Sequence, residues 1–355
     1  MMSLTLSRKV WVRMFKSLPE QNKILIIQTA FIGDAILTTP LIRYVKGCFP
    51  HARLDVLVIP QTKSVLENNP HIQTLFTFDK RGDKKKAFRE TVSKLRAESY
   101  DLCFSPHRSL TSARLAAKAQ IPYRIGFGGQ IPSLFYHKRV PFDQKKSQIN
   151  RYLDLLRIFK DEEYDIQTEL FFTDQEIDFA HSVFQSFPLS KKIAIAPGSV
   201  WLTKRWPEER FAELVEILGR QDVALVFIGS ADERALCERI GQQTKTGNIF
   251  NLAGKTTLLQ AAAVIQSCDL LICNDSGAMH MANAVGTDVF VFFGPTVQRF
   301  GFAPFRPRDI VFEVDEDCRP CSSHGGKKCP QKHFRCMRSI TVENVYEHVV
   351  KRLDL

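Results

Sequence analysis

Apolar and polar positions alternate along this chain in two repeating patterns. A short aliphatic run, KILIIQT at residues 23–29, precedes AFIGDAILTTPLIRYVKGCF, whose apolar positions recur at helical spacing. LDVLVIP predicts a second buried strand, QTKSVLENNPHIQTLFTFD a short helix and a strand, and KKKAFRETVSKLRAESY a helix with basic and apolar faces. DLCFSPH is a further strand. Strands alternating with helices predict parallel βαβ units and an α/β sheet.

The alternation breaks near 160–190, where KDEEYDIQTEL and DQEIDFAHSVFQSFPLSKK carry charge and turn residues. It resumes at 191 with the strands KIAIAP, VALVFIG, DLLICN and DVFVFFG, separated by the helical segments RWPEERFAELVEILGR, DERALCERIGQQ, TLLQAAAVIQSC and SGAMHMANAVG. The expected fold class is α/β, with two doubly wound, Rossmann-like domains. The expected organisation is an N-terminal extension at 1–21, domains at 22–185 and 186–340, and a C-terminal helix at 341–355 packing back. A length of 355 residues agrees with two cores rather than one. Two such domains facing each other place a ligand cleft beyond the carboxyl ends of their strands.

Composition narrows the classes. A hydrophobic content of 44% with 25% charged residues is that of a globular chain. There is no apolar run of about 18 residues and no signal-peptide pattern at the N-terminus, which leads us to expect a cytoplasmic protein. Forty-nine Lys and Arg against 38 Asp and Glu leave a formal charge of +11. That charge predicts an anionic partner: nucleic acid, a membrane surface or a phosphorylated substrate. It is spread along the chain without a helix-turn-helix, RNA-recognition or finger motif, so nucleic acid is not the expected partner. Nine cysteines, irregularly spaced, argue against a secreted disulfide framework.

Three loops, each between an apolar strand and a helix, carry candidate chemistry. In Phe31-Ile32-Gly33-Asp34, Gly33 permits a tight turn and close substrate approach, and Asp34 is either a base or the cap of the helix behind it. Ala196-Pro197-Gly198-Ser199 is followed by Lys204-Arg205-Trp206-Pro207, with Pro207 in a first helical turn. Two cations beside a helix start suggest an anion site; the alternative is a solvated basic loop with Trp206 in the core. In Cys273-Asn274-Asp275-Ser276-Gly277-Ala278-Met279-His280, the small residues open a helix whose N–H groups can hold a diphosphate. His280, one turn in, is either a structural residue or a catalytic one. Gly254-Lys255-Thr256 is not a nucleotide-binding P-loop, because Ile249 stands where that loop needs glycine.

In this order the segments IIQTAFIGDAILTTPLIR, APGSVWLTKRWPEERFAELV, NLAGKTTLLQAAAVIQSCDLLICNDSGAMHMANAVG and VFFGPT resemble the heptosyltransferases of lipopolysaccharide synthesis, glycosyltransferases of the two-domain GT-B fold. The likeness runs from about residue 23 to 350, and KRWPEERFAEL and NDSGAMH are most like heptosyltransferase II. The resemblance implies inverting transfer of a heptose from ADP-heptose to a lipid A–Kdo–heptose acceptor, with no metal or cofactor. Asp34 matches the general base and Lys204 the lysine that neutralises the leaving diphosphate. Asp275, with Ser276, Gly277 and His280, matches the donor-binding group; Gly33, Ser199 and Arg205 complete the substrate-binding set, although some relatives place another residue at 205. A GT-B enzyme needs no Asp-x-Asp metal motif beside its donor loop; Asp315 and Asp317 form such a pair, but in a late charged linker, and are read as solvated. The alternatives are a related enzyme acting on another nucleotide sugar, as transferase or epimerase, and a non-catalytic family member.

Three segments lie outside that pattern. Residues 4–18 can be drawn as a helix with Leu4, Trp11, Phe15 and Leu18 on one side and Lys9, Arg13 and Lys16 on another, suited either to the anionic inner face of the inner membrane or to simple packing. The run Lys80-Arg81-Gly82-Asp83-Lys84-Lys85-Lys86 is either an acceptor contact or a solvated face. Cys318, Cys321, Cys329 and Cys336, with His324 and His333 nearby, offer zinc-ligand types at a non-standard spacing, with free thiols or a labile disulfide as the alternative.

Overall fold

The computed structural model describes residues 23–160, 162–185, 191–244 and 248–355; the amphipathic segment read at 4–18 lies outside them. The chain divides into two compact units between Glu169 and Leu170. Among the described residues each unit is built on a parallel six-stranded sheet.

In the first unit the sheet order is β3-β2-β1-β4-β5-β6, with β1 at Lys23–Ile27, β2 at Arg53–Val58, β3 at Thr74–Thr77, β4 at Leu102–Ser105, β5 at Tyr123–Phe127 and β6 at Lys138–Val140. Ile24 lies between Leu54 and Leu102, which fixes the register of the central strands. Helices on both faces explain why β1 reads as an unbroken apolar run: Ile24 to Ile27 are all fully buried.

The single helix predicted after β1 is two, Ile32–Leu37 and Thr39–Cys48, broken at Thr38. Pro40 lacks an N–H and its ring clashes with the preceding turn, so it is accommodated only in the first turn of a new helix. Thr38 compensates for the break by donating its hydroxyl to the Asp34 carbonyl at 2.7 Å. Strands β5 and β6 had no clear signature in the sequence.

In the second unit the order is β12-β11-β10-β7-β8-β9, with β7 at Lys191–Ala196, β8 at Val223–Phe227, β9 at Ile249–Asn251, β10 at Leu270–Asn274, β11 at Asp288–Phe292 and β12 at Ile310–Phe312. Its core is strongly aromatic. Trp206 stacks on Phe292 with ring centroids 4.4 Å apart, Phe211 meets both rings edge-on, and the Trp206 indole donates to the Ile340 carbonyl. The C-terminal helix Val342–Leu353 buries Val342, Val345, Val349 and Leu353 in this core and packs on the helix Glu208–Leu218 of the same unit. The stretch where the alternation faltered holds a helix, Asp174–Gln185, which packs on Leu258–Gln266.

Candidate active site

In each unit the sheet order reverses beside its first strand, between β1 and β4 and between β7 and β10. Loops leaving the carboxyl ends of such a strand pair diverge and leave a crevice, where doubly wound sheets bind ligands. The three loops selected from sequence follow β1, β7 and β10.

After β1, Asp34 occupies the third position of the helix Ile32–Leu37, behind Gly33, while Phe31 holds the N-cap position. Asp34 is therefore not the N-cap residue. Its Oδ1 accepts the Tyr152 phenol hydrogen at 2.9 Å, from the helix Gln148–Asp154. Burial first, then the Asp34 charge and this hydrogen bond, push the Tyr152 phenol well above its ordinary value, so it stays a donor. Asp34 remains half-exposed.

The loop after β4 brings His107, whose Nδ1 lies 3.2 Å from Thr29 Oγ1; Thr29 also meets Ser112 Oγ at 3.0 Å. Burial, then the charge of Lys80, lowers His107 to about 4, so it is neutral at physiological pH. Lys80 Nζ donates to the Thr29 carbonyl at 2.7 Å. The basic run is thus divided in two. Lys80 reaches back to the loop after β1, whereas Asp83 caps the helix Lys84–Ala97 by accepting from the N–H groups of Lys85 and Lys86, and Lys84 to Lys86 are exposed. Arg108 stacks on Phe142 at 3.8 Å, and its buried Nε has no hydrogen-bond partner among the described residues.

In the second unit Lys204 Nζ lies 2.6 Å from Asp275 Oδ2, which also accepts the Thr296 hydroxyl hydrogen at 2.7 Å. The structure therefore joins the loops after β7 and β10. Asn274 holds the same two loops together, donating to the carbonyls of Pro197 and Gly198 and accepting from the Trp206 N–H at 2.8 Å. Arg205 donates through Nε and a terminal nitrogen to the Ser199 carbonyl at 2.8 and 2.7 Å, so it closes the loop on itself. Gly198 is needed where it stands: a β-carbon there would lie 2.0 Å from Glu233 Oε1, a carboxylate group already held by Ser230. Pro207 takes the N-cap position of Glu208–Leu218, one residue earlier than a first-turn proline, and Trp206 is a core residue.

Ser276 is the N-cap of the helix Gly277–Val285, with extended backbone, but its hydroxyl makes no capping hydrogen bond. The first-turn N–H groups are left without a side-chain cap, and with the helix dipole they favour an anion. His280 is buried in that helix. Burial lowers it to about 4, with Asp275 opposing and Lys204 reinforcing the shift, so the ring is neutral beside the ion pair.

That burial sets a pH dependence. His280 titrates near 6.5 when unfolded and near 4 when folded, so the unfolded chain takes up its proton first as pH falls. The stability it protects is intact above about pH 6.5 and is lost toward pH 4, by roughly 3 kcal/mol. Urea unfolding at several pH values is expected to show this decline, and His280→Asn is expected to lessen it, leaving the share of His107, which burial lowers to about 4 as well.

Tyr152, Asn274, Thr296 and His107 had no assigned role in the sequence reading, and Lys80 was read there only within its basic run. Asp315 and Asp317 are exposed. Cys321 and Cys336 are raised by burial first and then by neighbouring cysteines, Cys336 to about 11.

Two doubly wound units, each with candidate loops at its switch point, have the architecture of the two-domain GT-B fold. The model of glycosyltransferase family 9 (heptosyltransferase) matches residues 88–333, and the chain belongs to that family. A lipooligosaccharide heptosyltransferase 2 of Campylobacter jejuni is 27% identical over 344 residues, covering 93% of this chain and 98% of the relative. A lipopolysaccharide heptosyltransferase 3 of Escherichia coli is 29% identical over 306 residues, covering 79% of this chain and 84% of the relative. Among solved structures, a family 9 glycosyltransferase from Veillonella parvula superposes with a TM-score of 0.83 at 24% identity, covering 95% of this chain and 98% of that one. The E. coli ADP-heptose lipopolysaccharide heptosyltransferase II does so with a TM-score of 0.77 at 24% identity, covering 93% and 98%. The protein is a glycosyltransferase.

Proposed function

We propose that this enzyme transfers L-glycero-D-manno-heptose from ADP-heptose to the heptose/Kdo inner core of lipopolysaccharide, with inversion at the anomeric carbon. The observation that carries the reading is the pairing of chemistries at the two switch points: an oriented carboxylate in one unit, and a lysine beside an uncapped helix N-terminus in the other. The names of the curated relatives support the heptose and the acceptor class; the ADP moiety rests on the family resemblance.

The acceptor hydroxyl oxygen attacks the anomeric carbon as the bond to the diphosphate oxygen breaks. Its proton passes to the Asp34 carboxylate, and ADP leaves with the bonding pair. Gly33 leaves room for the acceptor to approach Asp34. Lys204 and the N–H groups at Gly277 stabilise the charge that develops on the leaving diphosphate. Asp275 holds Lys204 in place and receives the donor together with Ser199, Ser276 and His280, while Arg205 keeps the loop after β7 closed. A divalent ion has no step in this scheme. Lys80 and Arg108 supply positive charge for the acid groups of Kdo and core phosphate.

The acceptor is lipid-anchored, so the reaction belongs at the cytoplasmic surface of the inner membrane. No described helix is long and apolar enough to cross a membrane. The exposed side chains of Ile131 and Leu134 in the first unit suit peripheral contact with such a surface. The test is the anomeric configuration of the product by NMR: a single inverted linkage is expected, and retention or a free epimerised nucleotide sugar contradicts the proposal.

A further inference from the structure

Among the described residues of the first unit, the exposed large aliphatic side chains are Leu110, Ile131 and Leu134, the last two 68% and 70% exposed. Ile131 and Leu134 belong to the 3₁₀ turn Ile131–Phe135. With three residues per turn they stand one above the other, while Pro132 and Ser133 between them are buried. The local bonding holds that orientation. Arg124 donates to the Phe135 carbonyl at 2.7 Å, and the Tyr136 hydroxyl donates to Ser105 Oγ at 2.8 Å. A β-carbon at Gly126 would overlap the Tyr136 ring, so that ring closes directly over β5. Both aliphatic side chains are thus kept in water by a fixed turn, as at an interaction site.

The surroundings of this patch select its partner. The turn packs on the helix Leu110–Lys118, where Leu110, Arg114 and Lys118 recur at every fourth position and are exposed. That helix packs in turn on Lys84–Ala97: Arg114 lies over the Phe88 ring at 5.5 Å, and Arg96 donates to the Lys118 carbonyl at 2.6 Å. Lys85 and Arg89 stand on the Arg96 side of their helix and are exposed, and Glu90 is the one acid in it. The connections from β3 to β4, β4 to β5 and β5 to β6 all step the same way along the sheet, so right-handed crossovers put them on one face. Residues 102–142 hold six Lys and Arg and no Asp or Glu. Aliphatic side chains among cations fit an anionic lipid surface, the former entering the acyl boundary and the latter meeting headgroups. An acidic protein is the competing occupant, but the patch lacks an exposed Trp or Tyr anchor of the kind protein interfaces favour.

We propose that this face of the first unit, with Leu110, Ile131 and Leu134 at its apolar centre, docks on the surface of an anionic phospholipid bilayer. The inference deepens the proposed transfer to a lipid-anchored acceptor, and rests on it for the use of the docking rather than for the docking itself. Leu110 and Ile131 follow the carboxyl ends of β4 and β5, as Asp34 follows that of β1. The bilayer then lies at the end of the sheet that carries Asp34, and an acceptor sugar reaches the carboxylate while its lipid stays in the membrane.

The test is co-sedimentation of the full chain with phosphatidylcholine vesicles, with and without phosphatidylglycerol, in the absence of donor and acceptor. Binding only to the anionic vesicles, weakened by salt, is expected. Ile131→Ser/Leu134→Ser is expected to weaken it about tenfold or more. Arg89→Gln/Lys118→Gln is expected to weaken it about 25-fold, at roughly fivefold for each cation lost. Both variants are expected to keep the wild-type Tm and the wild-type rate on a delipidated, water-soluble acceptor. Binding unchanged in either double variant, equal binding to both kinds of vesicle, or none to either, as a surface for a protein partner gives, overturns the proposal. Because neither substrate is present, its failure is read separately from failure of the transfer reaction.

Discussion

Replacing Asp34 by asparagine is expected to lower kcat by about 10²–10⁴, the range of a lost general base, with donor affinity and Tm nearly unchanged. The split follows from where the residue sits. Asp34 projects from the first turn of a helix that Phe31 caps, so it is not the residue that starts that helix. An amide of the same shape still accepts the Tyr152 hydrogen bond but cannot take a proton from the acceptor hydroxyl. Lys204 and Asp275, the residues proposed for the donor, belong to the other unit. Tyr152→Phe is the milder counterpart: the carboxylate is still present but loses the partner that orients it. About a tenfold fall in kcat is expected there, with KM for both substrates unchanged and a stability loss of about 1 kcal/mol. A purely structural role for Tyr152 would move Tm without this kcat effect. Steady-state kinetics with both substrates varied, alongside thermal unfolding, distinguish these outcomes.

Lys204→Ala is expected to cost about 10²–10³ in kcat, comparable to removing a donor that stabilises developing negative charge. It also carries a stability penalty that Asp34→Asn does not. The Lys204–Asp275 pair is mostly buried, and the substitution leaves Asp275 with the Thr296 hydroxyl but without its cation. An uncompensated buried carboxylate costs about 3–5 kcal/mol. The double variant Lys204→Ala/Asp275→Asn separates the two effects: removing the stranded charge restores most of the stability, and the rate stays low. If the double variant recovers the rate as well, Lys204 serves only to neutralise Asp275. Urea unfolding and kcat measured on the same preparations give both readings.

The parts of this account that were legible in sequence are those written in consecutive residues. Buried parallel strands announce themselves as aliphatic runs such as Ile24 to Ile27, and the segments behind them carry Asp34, Lys204 and Asp275 within eight positions of the strand ends. Contacts between distant segments were not legible. Tyr152 meets Asp34 across 118 positions, Thr296 reaches Asp275 across 21, and Asn274 braces a loop 77 residues upstream. Nothing local marks a tyrosine in a late helix as the partner of an early aspartate. The break at Thr38 had a visible cause in Pro40, yet the apolar spacing continued through it and read as one helix. Helix Asp174–Gln185 buries only Ala180 and Phe184 among its described side chains, too narrow a stripe to stand out from charged surroundings. Arg205, chosen for an incoming anion, also bonds the Ser199 carbonyl, a contact with no local mark in the sequence.

The most direct test of the central claim is ADP release from ADP-heptose, followed with and without a Kdo-containing, heptose-bearing acceptor, for the wild type and Asp34→Asn. Release that requires the acceptor and collapses in Asp34→Asn is the predicted result. Release at the same rate without acceptor, or undiminished in Asp34→Asn, contradicts the account.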